Sequence, residues 1–237
     1  MLAKRLLGAA ILALALAAQI VPAQAQGATR LVPPSGPFQV GRTAYQWVDE
    51  ARAEVHTDDP DDRRALLVEV WYPAEPAINA LYAPYYDAPL ADLFTEMYQV
   101  PGTNLHAVRS NAFAGAPVSG AQPVYPVILF DPGFSAAPRQ YTILIEELAS
   151  YGYVVFALSH PYVTTLTVFP DGGLIEPLNY DRLASLWAPQ DIYQSEFEQV
   201  WVPDGLFALR QIEALNADDP QGLFAGRLDL DRLGVIG

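Results

Sequence analysis

The residues with the clearest chemical potential follow a short apolar run, Val127 to Phe130, in the segment Asp131-Pro-Gly-Phe-Ser135. Gly133-Phe-Ser-Ala-Ala137 is close to the G-x-S-x-G pattern, which presents a nucleophilic serine at a sharp turn, and His160 is a candidate base for it. Against this interpretation, the loop comes early in the series of strands and no acid follows in a convincing place. We therefore expect Ser135 to cap the turn or to help shape a pocket.

The sequence does not indicate a metal or nucleotide site. Its three histidines, His56, His106 and His160, are scattered and lack a metal-ligand spacing such as H-E-x-x-H. The acidic turn Asp58 to Asp62 could hold a cation, but it runs into two arginines and is more typical of a solvated hairpin loop. No glycine-rich segment fits the dinucleotide fingerprint or the P-loop. We expect no metal and no cofactor.

The candidate loop belongs to a βαβ unit. Val127 to Phe130 reads as a strand buried on both faces, and it stops at a Pro-Gly turn. A helical pattern then runs from Tyr141 to Leu148, Gly152 ends it, and a second apolar strand follows at Val154 to Leu158. Because functional loops lie at the carboxyl ends of parallel strands, both the 131–140 loop and His160 are on the expected active-site side.

The rest of the chain supplies further strands and helices around this unit. From the amino end, the predicted elements are strands at Val40–Val48 and Ala65–Tyr72, a short helix at Leu90–Val100, a helix at Val200–Leu215 and a strand at Leu230–Gly237. Two long aromatic excursions, 74–122 and 160–199, interrupt the order. Asp204, on the late helix, reads as a surface or helix-packing carboxylate. The predicted class is α/β, with a mixed, mostly parallel sheet and helices on both faces.

The first 25 residues have the pattern of a signal peptide. A basic start, Lys4-Arg5, precedes an apolar stretch, Leu6 to Val21, and Ala23-Gln-Ala25 supplies the small residues that a signal peptidase reads. A transmembrane anchor is the alternative, but the run is short for a span of about 20 residues. We predict a signal peptide at residues 1–25, a periplasmic or extracellular location, and no stable membrane span after cleavage.

Residues 26–237 are enough for one domain with a sizeable core. Their composition excludes several classes of function. Once the signal peptide is removed, 11 basic side chains face 27 acidic ones, a net charge of −16. This balance argues against nucleic acid and anionic membrane surfaces as partners, since both favour clustered basic residues. The chain has no cysteine, which excludes disulfides, thiol catalysis and cysteine-ligated metals.

Seven segments carry a family resemblance in their order: Val68–Ala74, Ala112–Val118, Tyr125–Phe134, Glu146–Val155, Ser159–Tyr162, Val168–Gly172 and Leu233–Gly237. Together they span most of residues 38–237 and resemble the α/β-hydrolase family of platelet-activating-factor acetylhydrolase-like esterases and lipases. The resemblance implies an α/β-hydrolase domain at residues 26–237 and serine-dependent hydrolysis of a small-molecule or lipid ester, of short-acyl or phospholipid type.

The resemblance also implies roles for the candidate loop. By the family's pattern, the backbone N–H of Phe134 is one donor of the oxyanion hole, and Gly133, Ser135 and His160 line the substrate site. Relatives commonly carry His-Gly where this chain has Pro132-Gly133, a change that the chemistry tolerates because backbone N–H groups hold the oxyanion. A purely structural role for His160, and a simple tight turn at Pro-Gly-Phe, are the alternatives.

Gly237 occupies the place of the first glycine of the nucleophile elbow. The resemblance therefore implies that the serine lies two residues beyond Gly237, that the acid and histidine follow it, and that the fold is C-terminally incomplete. Polyester hydrolases and dienelactone-hydrolase-like enzymes share a similar Pro-Gly-aromatic loop and remain competing interpretations. A non-catalytic binding protein, or an inactive fragment, is a hypothesis of a different class.

Overall fold

The computed structural model describes residues 29–99, 101–178 and 196–237. The strands are β1 (Gln39–Ala53), β2 (Arg63–Ala74), β3 (Tyr82–Pro84), β4 (Arg109–Ala114), β5 (Tyr125–Phe130), β6 (Val154–Ser159), β7 (Thr167–Val168), β8 (Leu174–Ile175) and β9 (Leu228–Ile236). The helices are α1 (Ala88–Tyr98), α2 (Thr142–Ser150) and α3 (Val202–Ala217). The predicted signal peptide and the middle of the second excursion lie outside the described residues.

Seven strands form one sheet in the order β3-β4-β1-β2-β6-β5-β9, and β7 and β8 form a separate pair. The pairs β1–β2, β2–β6 and β3–β4 are antiparallel, whereas β1–β4, β5–β6 and β5–β9 are parallel. Five of the seven strands therefore run in one direction, with β2 and β3 opposed to them. The predicted mixed, mostly parallel sheet is confirmed.

Helices cover the sheet on both faces, as the α/β pattern predicts. In β5, Val127 and Leu129 pack in one core with Ile212 of α3, while Ile128 and Phe130 pack in a second core with Ile145 of α2. Because side chains alternate between the two faces of a strand, a continuous apolar run is what a strand covered on both sides requires. The predicted βαβ unit is confirmed, with α2 crossing between β5 and β6.

Strand β4 lies inside the first excursion, where no strand was predicted. Its Ser110 and Asn111 are buried polar residues, so the segment lacks the apolar pattern of a strand. The backbone N–H groups of Asn111 and Ala112 donate to Glu146 Oε1 of α2, at 2.8 and 3.0 Å, and Asn111 Nδ2 donates to Glu146 Oε2 at 2.9 Å. A distant side chain thus holds β4 in place, which local periodicity does not reveal.

Within the described residues, no helix combines the length and the hydropathy that a membrane span requires.

The contacts of Glu146 generate a prediction about stability. The substitution Glu146→Ala leaves three buried donors without their acceptor, and we expect it to lower the free energy of unfolding by about 2–4 kcal/mol. Urea unfolding measures this change. The control is Glu213→Ala at an exposed position of α3, expected within about 0.5 kcal/mol of the wild type. Equal stability of the two variants would contradict the assigned role of Glu146.

Candidate active site

The carboxyl ends of β5 and β9 meet directly behind the candidate loop. The backbone N–H of Asp131 donates to the carbonyl oxygen of Ile236 at 2.8 Å, which extends the parallel pairing by one residue. A Cβ atom on Gly237 would lie 2.5 Å from the carbonyl oxygen of Asp131. Since that neighbour is backbone and cannot swing aside, glycine is required for this close approach.

Residues 131–137, which we call the oxyanion loop after their expected role, leave β5 at this point. The loop makes a tight turn in which Ala136 N–H donates to Gly133 O at 2.9 Å. Ser135 has a φ of 68°, in the left-handed region that is uncommon for a residue with a side chain. Its carbonyl oxygen accepts from Thr165 N–H at 3.0 Å and also from Thr165 Oγ1. Both contacts hold the strained residue in place.

His160 lies at the carboxyl end of β6, only 3% exposed, between two carboxylates. Its Nδ1 is 2.8 Å from Asp204 Oδ2, and its Nε2 is 2.9 Å from Asp131 Oδ1. Burial alone would lower the pKa of His160, but the hydrogen bonds to Asp131 and Asp204 outweigh it and raise the pKa. An imidazolium donates from both nitrogens, which matches two carboxylate partners.

Asp204 is fully buried, so its interpretation as a surface carboxylate was wrong and the helix-packing one applies. Arg64 donates to Asp204 Oδ2 at 2.7 Å, and Arg52 donates to Oδ1 at 2.8 Å. Burial would raise the pKa of Asp204, but the hydrogen bond to His160 and the charge of Arg64 hold it well below its usual range. The sequence did not indicate these partners, because an aspartate in the first turn of a helix is common and the partners are distant in the chain.

The structure bears on the interpretation of Ser135 as a nucleophile with His160 as its base. An acid does accompany His160, since Asp204 contacts its Nδ1, and sequence reasoning missed it. The Nε2 atom, however, is 2.9 Å from Asp131 Oδ1, and a ring nitrogen that is hydrogen-bonded to a carboxylate is not placed to accept a proton from a serine. His160 and Ser135 are linked through the backbone turn that carries Thr165.

Aromatic rings connect His160 to the oxyanion loop. The indole of Trp201 stacks on the His160 ring at 4.6 Å with an interplanar angle of 3°, and Phe134 stacks on the same indole at 5.9 Å. Phe134 also lines a groove of about 380 Å³ together with Ser135 of the loop and Met97 and Tyr98 of α1. Phe134 and Ser135 thus border an open groove, whereas the buried His160 is not among the described residues that line it.

The described residues contain no group of three or more histidine, cysteine or acidic side chains arranged to hold a metal ion.

The buried ion pairs predict how stability depends on Asp204 and on pH. Asp204→Asn removes the charge that Arg64, Arg52 and His160 face, and we expect a loss of about 3–5 kcal/mol in unfolding free energy at pH 7. Because the pKa of Asp204 is lowered in the folded state, its contribution is present above the ordinary aspartate pKa of about 4 and is lost as the pH falls further.

Urea unfolding between pH 7 and pH 3 measures both effects, and the gap between wild type and variant should narrow at the acid end. Asp92→Asn is the control, since Asp92 pairs with His106 on the surface and its side chain is 73% exposed. We expect that variant to remain within about 0.5 kcal/mol of the wild type. A gap that is constant with pH would contradict the ionised Asp204.

Comparisons with known proteins agree with this architecture. Residues 23–168 match the family described as platelet-activating factor acetylhydrolase, isoform II. The chain is 25% identical over 175 residues to a probable 1-alkyl-2-acetylglycerophosphocholine esterase of Arthroderma benhamiae, a match that covers 68% of this chain and 44% of that protein. It is 26% identical, with a TM-score of 0.63, to the structure of a ferulic acid esterase from Streptomyces cinnamoneus.

The structural match covers 88% of this chain and 54% of the ferulic acid esterase, so the chain spans about half the length of these two relatives. The likeness of the sheet and its helices to that structure confirms the α/β-hydrolase fold. The comparisons do not bear on Gly133, Phe134, Ser135 or His160, whose roles stay predictions. Since the family match spans more than half of the 237 residues, the chain belongs to the platelet-activating factor acetylhydrolase, isoform II, family.

Proposed function

We propose that this chain forms the oxyanion-stabilising part of a serine-dependent carboxylic ester hydrolase. The observation that carries the proposal is the meeting of β5 and β9, where Asp131 N–H bonds to Ile236 O and Gly237 lies against the Asp131 carbonyl. A nucleophile elbow that begins at Gly237 would start beside the oxyanion loop. This juxtaposition is what acyl transfer requires, because the attacking serine and the oxyanion donors must reach the same carbonyl group.

In the proposed reaction, a serine two residues beyond Gly237 attacks the ester carbonyl. The oxyanion that develops accepts a hydrogen bond from Phe134 N–H and another from the residue after the serine. One such donor is typically worth about 3–4 kcal/mol of transition-state stabilisation. A histidine and an aspartate further along the chain transfer the protons, and water then hydrolyses the acyl-enzyme. His160 is not that histidine, since both of its ring nitrogens face carboxylates.

Short-acyl or phospholipid-type esters are the substrate class that we propose, as the family and the fungal relative support. The groove beside Phe134 suits an apolar group, since Phe94 and Met97 of α1 form part of its wall. The likeness to a ferulic acid esterase makes aromatic-acyl esters a second candidate class. A polyester or dienelactone-type hydrolase would share the same loop chemistry, and a non-catalytic binding protein is the alternative outside enzymes.

We further propose that the protein is exported, on the basis of the basic start, apolar stretch and A-x-A site in residues 1–25. A periplasmic or extracellular enzyme would meet lipid and small-molecule esters outside the cytoplasm. An acidic chain without cysteine is compatible with such a location, because its stability does not depend on disulfides.

The reaction class is tested with the full-length protein that carries this chain. We expect it to hydrolyse p-nitrophenyl acetate and to lose this activity after treatment with a serine-reactive phosphonate. Mass spectrometry of the labelled protein should find the phosphonyl group on the serine two residues after Gly237. Comparing kcat/KM for longer acyl esters, a 2-acetyl phospholipid and methyl ferulate then shows which substrate class the enzyme prefers. No turnover of any ester would favour a binding protein, and labelling of Ser135 would contradict the proposed nucleophile.

The close approach at Gly237 provides a second test. A Cβ atom there would collide with the Asp131 carbonyl, so Gly237→Ala must displace the elbow from the oxyanion loop. We expect kcat/KM to fall about 100-fold, the usual effect of a shift of about 1 Å in catalytic geometry. The matched control is Gly234→Ala in the same strand, where a Cβ meets no atom of the described residues within 4 Å. Equal activity of the two variants would show that the catalytic serine lies elsewhere.

A further inference from the structure

One turn of the chain contacts the oxyanion loop at both of its ends. The turn runs from His160 to Thr165, directly after β6. At the start of the loop, His160 Nε2 contacts Asp131 Oδ1 at 2.9 Å. At its far end, the carbonyl oxygen of Ser135 accepts from Thr165 N–H at 3.0 Å and from Thr165 Oγ1. Phe134 lies between these two anchored points.

The turn itself is held firmly from within. His160 N–H donates to Thr164 Oγ1 at 3.0 Å, and the N–H groups of Val163 and Thr164 both donate to the carbonyl oxygen of His160, at 3.1 and 2.8 Å. A turn with three internal hydrogen bonds has few alternative conformations. It can therefore act as a rigid support for the more irregular loop beside it.

Buried charged side chains hold the His160 ring in place. Asp204 holds Nδ1 at 2.8 Å, and Arg64 links Asp204 to the carbonyl oxygen of Pro161, which Arg64 Nη1 contacts at 3.3 Å. Trp201 covers one face of the imidazole and also touches Phe134. The ring is thus fixed in its plane by two carboxylates and across its face by an indole, so the position of Asp131 follows from that of α3.

We propose that the 160–165 turn sets the position of the oxyanion donor at Phe134, with His160 and Thr165 as positioning residues that act on the loop from its two ends. The inference rests on the proposed function, since an oxyanion donor must be placed exactly to stabilise the charge that develops in the transition state. A donor misplaced by about 1 Å can cost 100-fold in rate. These contacts are therefore expected to control kcat more than substrate affinity.

The charge of His160 links this positioning to pH. The charged groups that face His160 are Asp131, at the end of β5, and Asp204 of α3. Asp204 in turn pairs with Arg52 of β1 and Arg64 of β2, and Arg64 also pairs with Glu54. Loss of the second ring proton would leave one carboxylate facing an unprotonated nitrogen. Because the pKa of His160 is raised, the intact arrangement persists above the ordinary histidine pKa and is lost as the pH rises through the raised value.

The experiment compares His160→Gln and Thr165→Val with the full-length wild type. We expect kcat for p-nitrophenyl acetate to fall about 100-fold in the first variant and about 10-fold in the second, with KM changed less than about three-fold. Thr165→Ser keeps the hydroxyl and should restore kcat. His160→Gln should also remove the fall of kcat at alkaline pH. His106→Gln, which alters an exposed histidine–aspartate pair, is the control and should match the wild type.

Hydrogen–deuterium exchange of segment 131–137 supplies a readout that does not depend on turnover. Faster exchange there in His160→Gln and Thr165→Val, but not in His106→Gln, would support the inference. If His160→Gln fails to fold, the Thr165→Val variant alone tests whether the turn positions the loop. A Thr165→Val variant with wild-type exchange in this segment and kcat within about two-fold of wild type would overturn it. A wild type that hydrolyses no ester would refute the proposed function, and exchange alone would then decide whether the turn positions the loop.

Discussion

A carboxylate without solvent contact, that of Asp204, is the constraint on which the active-site side of this protein depends. A buried charge is tolerated only when other charges and hydrogen bonds replace the water it has lost. Asp204 obtains them from Arg52 of β1, Arg64 of β2 and His160 of the β6 end. One side chain thereby fixes α3 to three strands, and its loss would remove a charged contact from each of these three partners.

The geometry of the candidate site follows from that arrangement. His160, fixed by Asp204, fixes Asp131, and Asp131 lies where β5 contacts the end of β9. The oxyanion loop starts at a rigid strand end and is bonded to a rigid turn at Ser135. Sites built on strands and helices hold catalytic groups more precisely than sites carried by loops alone, and an oxyanion hole depends on such precision.

A second buried ion pair performs a similar task on the other side of the loop. Arg139 follows the oxyanion loop and contacts Glu69 of β2 at 2.7 Å and Asp87, which precedes α1, at 2.5 Å. Ala137 packs in one cluster with Phe94 of α1. The helix that borders the groove is therefore joined to the same loop that carries Phe134. The wall of the groove and Phe134, the proposed oxyanion donor, therefore share one support, which relates the shape of the groove to the position of Phe134.

Local patterns in the sequence were sufficient for β5 and β6, which are continuous apolar runs, and for α2 and α3, which bury residues at helical spacing. The strand β9 was predicted from its apolar residues, although most of its side chains are not buried in the described structure. The ordered family motifs added the α/β-hydrolase fold, which the structural match confirms. The strand β4 was missed because its backbone bonds to Glu146, a side chain 35 residues away, and its own pattern is polar. The partners of His160 were missed for the same reason, since Asp204 lies 44 residues further along the chain.

The sequence by itself determined the class of fold, the family and the position of the Pro-Gly-Phe loop after a buried strand. These features depend on residue type, on periodicity and on neighbours in the chain. Only the tertiary structure decided that His160 is clamped between Asp131 and Asp204 and that Gly237 lies against Asp131. The physical reason is that charge pairing and close backbone approach act through space, between segments whose meeting depends on the packed sheet and not on any local signal.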